Sequence, residues 1–186
     1  MKKNRHRLYP VEKADFLQGG LRRLYQNPHK LLSRYLEEGM VVLDFGCGPG
    51  FFTIEAARMV GDRGKIIAAD LQQGMLDKLN NAIQSNEIKK RIVLHKSNED
   101  TIGITEKVDI VLAFHVIHEI PDQEAFLEEV KSILKTGGLL YIIEPGFIVS
   151  KKEFEKTVAI VQKLNFTPID KPRIFISRSA VFKKIN

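Results

Sequence analysis

A single cysteine, Cys47, stands among the 186 residues, which leaves no internal disulfide framework and no cysteine cluster for a structural metal. No uninterrupted apolar run approaches the ~20 residues that a membrane-spanning helix requires. The opening residues, Met1-Lys2-Lys3-Asn4-Arg5-His6-Arg7, are basic, but no apolar stretch follows them to make a secretory signal peptide. Internal repeats and low-complexity linkers are lacking too. The composition, with 44% hydrophobic residues, points to an ordered, soluble, cytoplasmic protein with no membrane association. Its length suits one domain with a real core.

Charge is plentiful but not organised. The chain carries 29 Lys and Arg against 23 Asp and Glu, a net charge of +6. The densest basic spots are the two ends of the chain and Lys89-Lys90-Arg91, and no basic stripe interleaved with aromatics accompanies them. A solvated surface is therefore favoured over a nucleic-acid groove.

The strongest local signal is Val41-Val42-Leu43-Asp44-Phe45-Gly46-Cys47-Gly48-Pro49-Gly50-Phe51-Phe52-Thr53. An apolar, β-branched run leads straight into three glycines in five residues, and a helical pattern follows. That sequence reads as a buried strand, a tight turn and a helix start, where a ligand can approach the main chain. The spacing is G-x-G-x-G, one residue short of the dinucleotide fingerprint G-x-G-x-x-G. Asp44, two positions before the first glycine, would oppose a pyrophosphate and suits a ligand bearing an ammonium group.

Along the rest of the chain, residues 13–26 carry apolar positions at helical spacing, weakened by Gly19-Gly20. Asn27-Pro28 caps and starts a helix expected to run to Glu38 and stop at Gly39. A helix from Phe51 to about Val60 follows the glycine turn. Strands are expected at Lys65–Asp70, Arg91–His95, Val108–Phe114 and Leu139–Glu144, and helices at Gln72–Ser85 and from Asp122 to about Leu134. Ser150-Lys151-Lys152-Glu153 is a capping box. Two β-rich runs, Asn165–Ile169 and Arg173–Phe182, lie too close for a parallel crossover, so they pair antiparallel. The alternation of strands and helices makes this an α/β protein with a doubly wound, mostly parallel sheet.

The glycine turn resembles motif I of the class I S-adenosylmethionine-dependent methyltransferases, in the small-molecule branch, and the resemblance covers roughly residues 28 to 182. It implies a Rossmann-like seven-stranded sheet of order 3-2-1-4-5-7-6 with strand 7 antiparallel. Ligands of such sheets bind where the strand order switches, here between strands 1 and 4. The cofactor implied is S-adenosyl-L-methionine, held by Asp44, Gly46, Cys47, Gly48 and Gly50. Asp70, at the end of strand 2, matches the acid that accepts from both ribose hydroxyls. Asp70-Leu71 and Met75-Leu76 are similar to the turn that packs on the adenine. Asn98, beside Glu99, stands where the family usually has Asp, and its amide can both accept and donate. Phe114 closes strand 4 against the cofactor.

The strand-4 exit, His115-Val116-Ile117-His118-Glu119, resembles that of the small-molecule branch and lacks the Asn/Asp-Pro-Pro-Tyr/Phe signature of base-amine enzymes. His118, and after it His115, are candidate general bases. They lack a third partner for a metal. Residues 1–27 are expected to form an N-terminal arm and lid over a domain of residues 28–186. The expected activity is methyl transfer to a small-molecule acceptor that the sequence does not identify. An RNA-directed enzyme or a non-catalytic cofactor-binding module remains an alternative. An NAD-dependent dehydrogenase is disfavoured by Asp44 and the shortened glycine spacing.

Overall fold

Val108 to Phe114, apolar but for Asp109, forms a strand buried in the middle of the sheet. The computed structural model describes residues 9–13, 26–84 and 86–185. The helix expected over residues 13–26 falls almost wholly outside them. In chain order the strands are β1 (Val41–Phe45), β2 (Lys65–Asp70), β3 (Ile92–Lys96), β4 (Val108–Phe114), β5 (Leu134–Pro145), β6 (Phe166–Asp170) and β7 (Ser177–Lys184). The helices are α1 (Pro28–Leu32), α2 (Thr53–Met59), α3 (Gln73–Ile83), α4 (Gln123–Ile133) and α5 (Lys151–Lys163).

All seven strands join one sheet in the order β3-β2-β1-β4-β5-β7-β6. β1 runs parallel to β2 and β4, while β7 is antiparallel to both β5 and β6. This is the α/β architecture the sequence implied, and the order reverses between β1 and β4. Strand side chains alternate faces, which divides the core in two. Val42, Ile66, Ala68, Ile110 and Leu112 pack under Leu32, Ala56 and Leu79 on one face. Leu43, Ile67, Val111 and Ala113 pack under Leu127, Val130, Phe154 and Val161 on the other. Strands buried on both faces read as near-continuous apolar runs, and β4 does so after Asp109 near its start.

The helix after Asn27 is shorter than expected. It ends at Leu32, and Tyr35, three residues on, donates its hydroxyl to Asp170 Oδ2 at 2.6 Å. β5 begins earlier than expected: Leu134 already pairs with Val108, and the register then jumps to Ile110–Leu139. The four residues of Lys135–Gly138, expected to end a helix, are thus a bulge in the strand. The last strand also begins later than expected, at Ser177 rather than Arg173, residues 173–176 forming a loop, but two capping cues hold. Asp122 caps α4 by accepting from Ala125 N at 3.0 Å, and both halves of the Ser150 capping box are formed.

Candidate active site

The carboxyl ends of β1, β2, β4 and β5 open into one cleft of about 1330 Å³. Ligand pockets run roughly 300–1,000 Å³, so the cleft has room for more than one small molecule. The glycine turn forms its floor. Gly46 N and Cys47 N both donate to Ala69 O, at 2.9 and 3.0 Å, which locks the turn to the neighbouring strand. The three glycines serve different ends. A Cβ on Gly46 would lie 2.6 Å from Val116 Cγ2, and one on Gly50 would collide with Leu79. A Cβ on Gly48, whose φ is +54°, would meet nothing within 4 Å, because that position faces the open cleft.

Most residues singled out from the sequence converge here. Asp44, Gly46, Cys47, Gly48, Asp70, Leu71, Met75, Asn98, Glu99, Phe114, His115 and His118 all line the cleft. Gly50 does not; close packing against Leu79 explains it. Asp44 is 2% exposed and accepts from the Thr53 hydroxyl at 2.5 Å. Asp70 accepts from Gly48 N at 2.9 Å and Gln72 N at 2.8 Å. Burial raises its pKa, while those two N–H groups and Lys96 act the other way. Burial also pushes the Cys47 thiol up, helped by the Asp44 and Asp70 charges, so it is no nucleophile.

At the other end of the cleft, His118 Nδ1 lies 2.5 Å from Glu144 Oε2. Glu144, 2% exposed, also accepts from Ile117 N at 2.9 Å, which pins the carboxylate behind the ring. Such a partner fixes Nδ1 as the protonated nitrogen and leaves Nε2 as an acceptor. Burial pulls the imidazole pKa down, but the Glu144 hydrogen bond and charge, with that of Glu119, raise it overall. Glu119 is itself pushed up to about 7, by burial first and then by the charges of Asp70 and Glu144. His115 differs: its backbone sits at φ +60°, and its Nε2 lies 3.3 Å from Gln26 Nε2. Its ring is held by that amide, which favours His118 as the base.

Glu144 was missed in the sequence, although an acid closing a buried strand is the signal that drew attention to Asp70. Ser97 was missed as well. Its hydroxyl is buried at the cleft wall and lacks a hydrogen-bond partner among the described residues, a state that points to a polar ligand atom or water. The charge of the lining matters most. Asp44, Asp70, Glu99 and Glu119 line the cleft, while no Lys or Arg does so among the described residues of a chain with net charge +6. Acceptor-only carboxylates without a cation fit a positively charged ligand and oppose a phosphate.

A family model described as a methyltransferase domain matches residues 36–171, most of the chain. The chain belongs to the class I S-adenosylmethionine-dependent methyltransferases. An S-adenosylmethionine-dependent methyltransferase from Aquifex aeolicus superposes with a TM-score of 0.86 at 25% identity, covering 95% of this chain and all of that one. A demethylmenaquinone methyltransferase of Lactobacillus johnsonii is 32% identical over 59% of this chain and 45% of its own length. A ubiquinone/menaquinone biosynthesis C-methyltransferase of Shewanella frigidimarina is 26% identical over 77% and 57%. The chain thus spans about half the length of these curated relatives. S-adenosylmethionine is the cofactor of a methyltransferase of this class, and a carboxylate-lined cleft suits the charge of its sulfonium and ammonium groups. Among the described residues no helix is long and apolar enough to cross a membrane.

Proposed function

We propose that the chain transfers a methyl group to a small acceptor bearing an ionisable proton, with His118 as general base and Glu144 as its positioning residue. The carboxylate-lined cleft, with no Lys or Arg among its described lining residues, carries this reading. Asp44 and the glycine turn would hold the amino-acid end of the cofactor, Asp70 the ribose, and Leu71, Met75, Ser97 and Asn98 the adenine. The bound cofactor supplies an electrophilic methyl group and a neutral leaving group. His118 Nε2 takes the acceptor's proton, Glu144 steadies the resulting imidazolium, and the cleft walls align the acceptor, which is worth several kcal/mol of barrier. The names of the curated relatives make a quinone-type ring the first acceptor to try. Residues 1–27 are proposed as the lid. In support, Tyr9 and Gln26 line the cleft, and the Gln72 side chain donates to Tyr9 O at 2.9 Å.

Equilibrium dialysis tests the cofactor. Adenosylmethionine should bind at micromolar levels and NAD should not; NAD binding of equal strength would overturn the reading. Asp70→Ala should weaken adenosylmethionine about tenfold or more, since a hydrogen bond to a charged group contributes roughly 1.5–3 kcal/mol. An unchanged dissociation constant, read by the same dialysis, would remove Asp70 from the site. Turnover on RNA exceeding that on every small acceptor tried would favour the RNA-directed alternative.

A further inference from the structure

Four of the seven exposed large apolar side chains among the described residues gather at the cleft mouth. Phe147 (78% exposed) and Ile148 (56%) follow β5, while Phe175 (66%) and Ile176 (57%) precede β7. The two loops are one unit. Gly146 N donates to Ile176 O at 2.9 Å, and Arg178 Nε donates to Val149 O at 2.8 Å. Ile176 sits at φ +51°, a conformation that β-branched residues avoid. The fold tolerates that strain at a position that contributes nothing to the core, as structures do where a side chain is displayed for use.

Exposed cations flank the loops: Lys152 follows the first, and Lys171 and Arg173 precede the second. None of the three forms an ion pair among the described residues. We propose that this face is a peripheral docking surface for an anionic lipid bilayer. The apolar loops enter the headgroup boundary while the flanking cations meet the lipid charge, the arrangement of interfacial anchors. A second copy of the chain fits worse, because a two-fold contact would set the same cations against themselves. A folded acidic partner would stopper the cleft, whereas a fluid surface leaves the mouth open to the membrane and to an apolar acceptor dissolved in it.

Co-sedimentation with vesicles tests this without reference to turnover. The chain should pellet with phosphatidylcholine vesicles containing phosphatidylglycerol, and weakly with phosphatidylcholine alone. The double change Phe147→Ser and Phe175→Ser should lower partitioning about tenfold or more, with adenosylmethionine affinity unchanged as the sign of an intact fold. Lys152→Glu with Arg173→Glu should erase the preference for anionic vesicles, each basic side chain being worth roughly fivefold. Failure to pellet with anionic vesicles at low salt overturns the proposal. So does undiminished binding by the serine variant, which would mean adsorption by net charge alone. A wild-type dimer that the serine variant breaks, with no vesicle binding, assigns the face to a second copy instead. Failure of adenosylmethionine to bind would undo the methyltransferase reading and leave the vesicle result standing.

Discussion

His118→Ala should lower turnover about a hundredfold or more, the usual effect of losing a general base, while adenosylmethionine affinity stays nearly unchanged. The pH profile separates a base from a packing residue. Because the neutral ring accepts the proton, turnover should fall as pH drops below the His118 pKa, which Glu144 and Glu119 hold above the ordinary 6.5. Glu144→Gln removes the hydrogen-bonded charge and leaves burial as the leading influence, so the acid limb should move to lower pH. An acid limb that stays put would show that Glu144 does not act through His118. The same cluster affects stability. A group whose pKa is raised by folding adds stability at low pH that is lost as pH climbs through the folded value. For Glu119 that loss spans the range from 4.5 to about 7. His118 acts in the same sense from 6.5 upward. Thermal unfolding of Glu119→Gln should accordingly be less pH-dependent across this window than that of the wild type.

Gly48→Val should reduce cofactor affinity by roughly a hundredfold or more, equivalent to about 2.7 kcal/mol. A Cβ there would meet no protein atom within 4 Å, and Gly48 lines the cleft, so a side chain would project into it. The fold should survive, less the roughly 1–2 kcal/mol that a left-handed residue costs. Gly50→Ala is the control with opposite character. Its Cβ would collide with Leu79 between α2 and α3, so overpacking should cost roughly 1–3 kcal/mol and lower the melting temperature before it touches the ligand. Isothermal titration and thermal melts on both variants check the pair. Normal cofactor binding by Gly48→Val would place the ligand elsewhere.

Much of this was legible in the sequence, for physical reasons that also mark where legibility ended. Apart from Asp44 and Asp109, Val41 to Phe45 and Val108 to Phe114 are apolar because both faces of their strands are covered, and that requirement shows in a one-dimensional string. Asp70 was legible for the converse reason, as a charge closing an apolar run. Glu144 closes its own run in the same way, but Pro145 and a glycine follow it rather than a helix, so nothing tied it to His118 26 positions away. That pairing exists only because β4 and β5 are neighbours. The division of labour among Gly46, Gly48 and Gly50 was equally hidden, since it depends on Val116 and Leu79 arriving from other elements. The early start of β5 was misread because Lys135-Thr136-Gly137-Gly138 has the composition of a helix stop; Gly137, at φ +78°, bends a strand bulge instead.

The carboxylate-lined cleft also bears on product release. Methyl transfer converts a sulfonium into a neutral thioether, so the ligand left in the cleft carries one positive charge fewer than the one that entered. Asp44, Asp70, Glu99 and Glu119, with no Lys or Arg beside them among the described residues, attract the charged form more than the discharged one. On the proposed reading, each turnover would weaken the grip on its own by-product, and the site would favour exchange for fresh cofactor over inhibition by spent cofactor. Added salt should narrow that preference by weakening the attraction for the charged form.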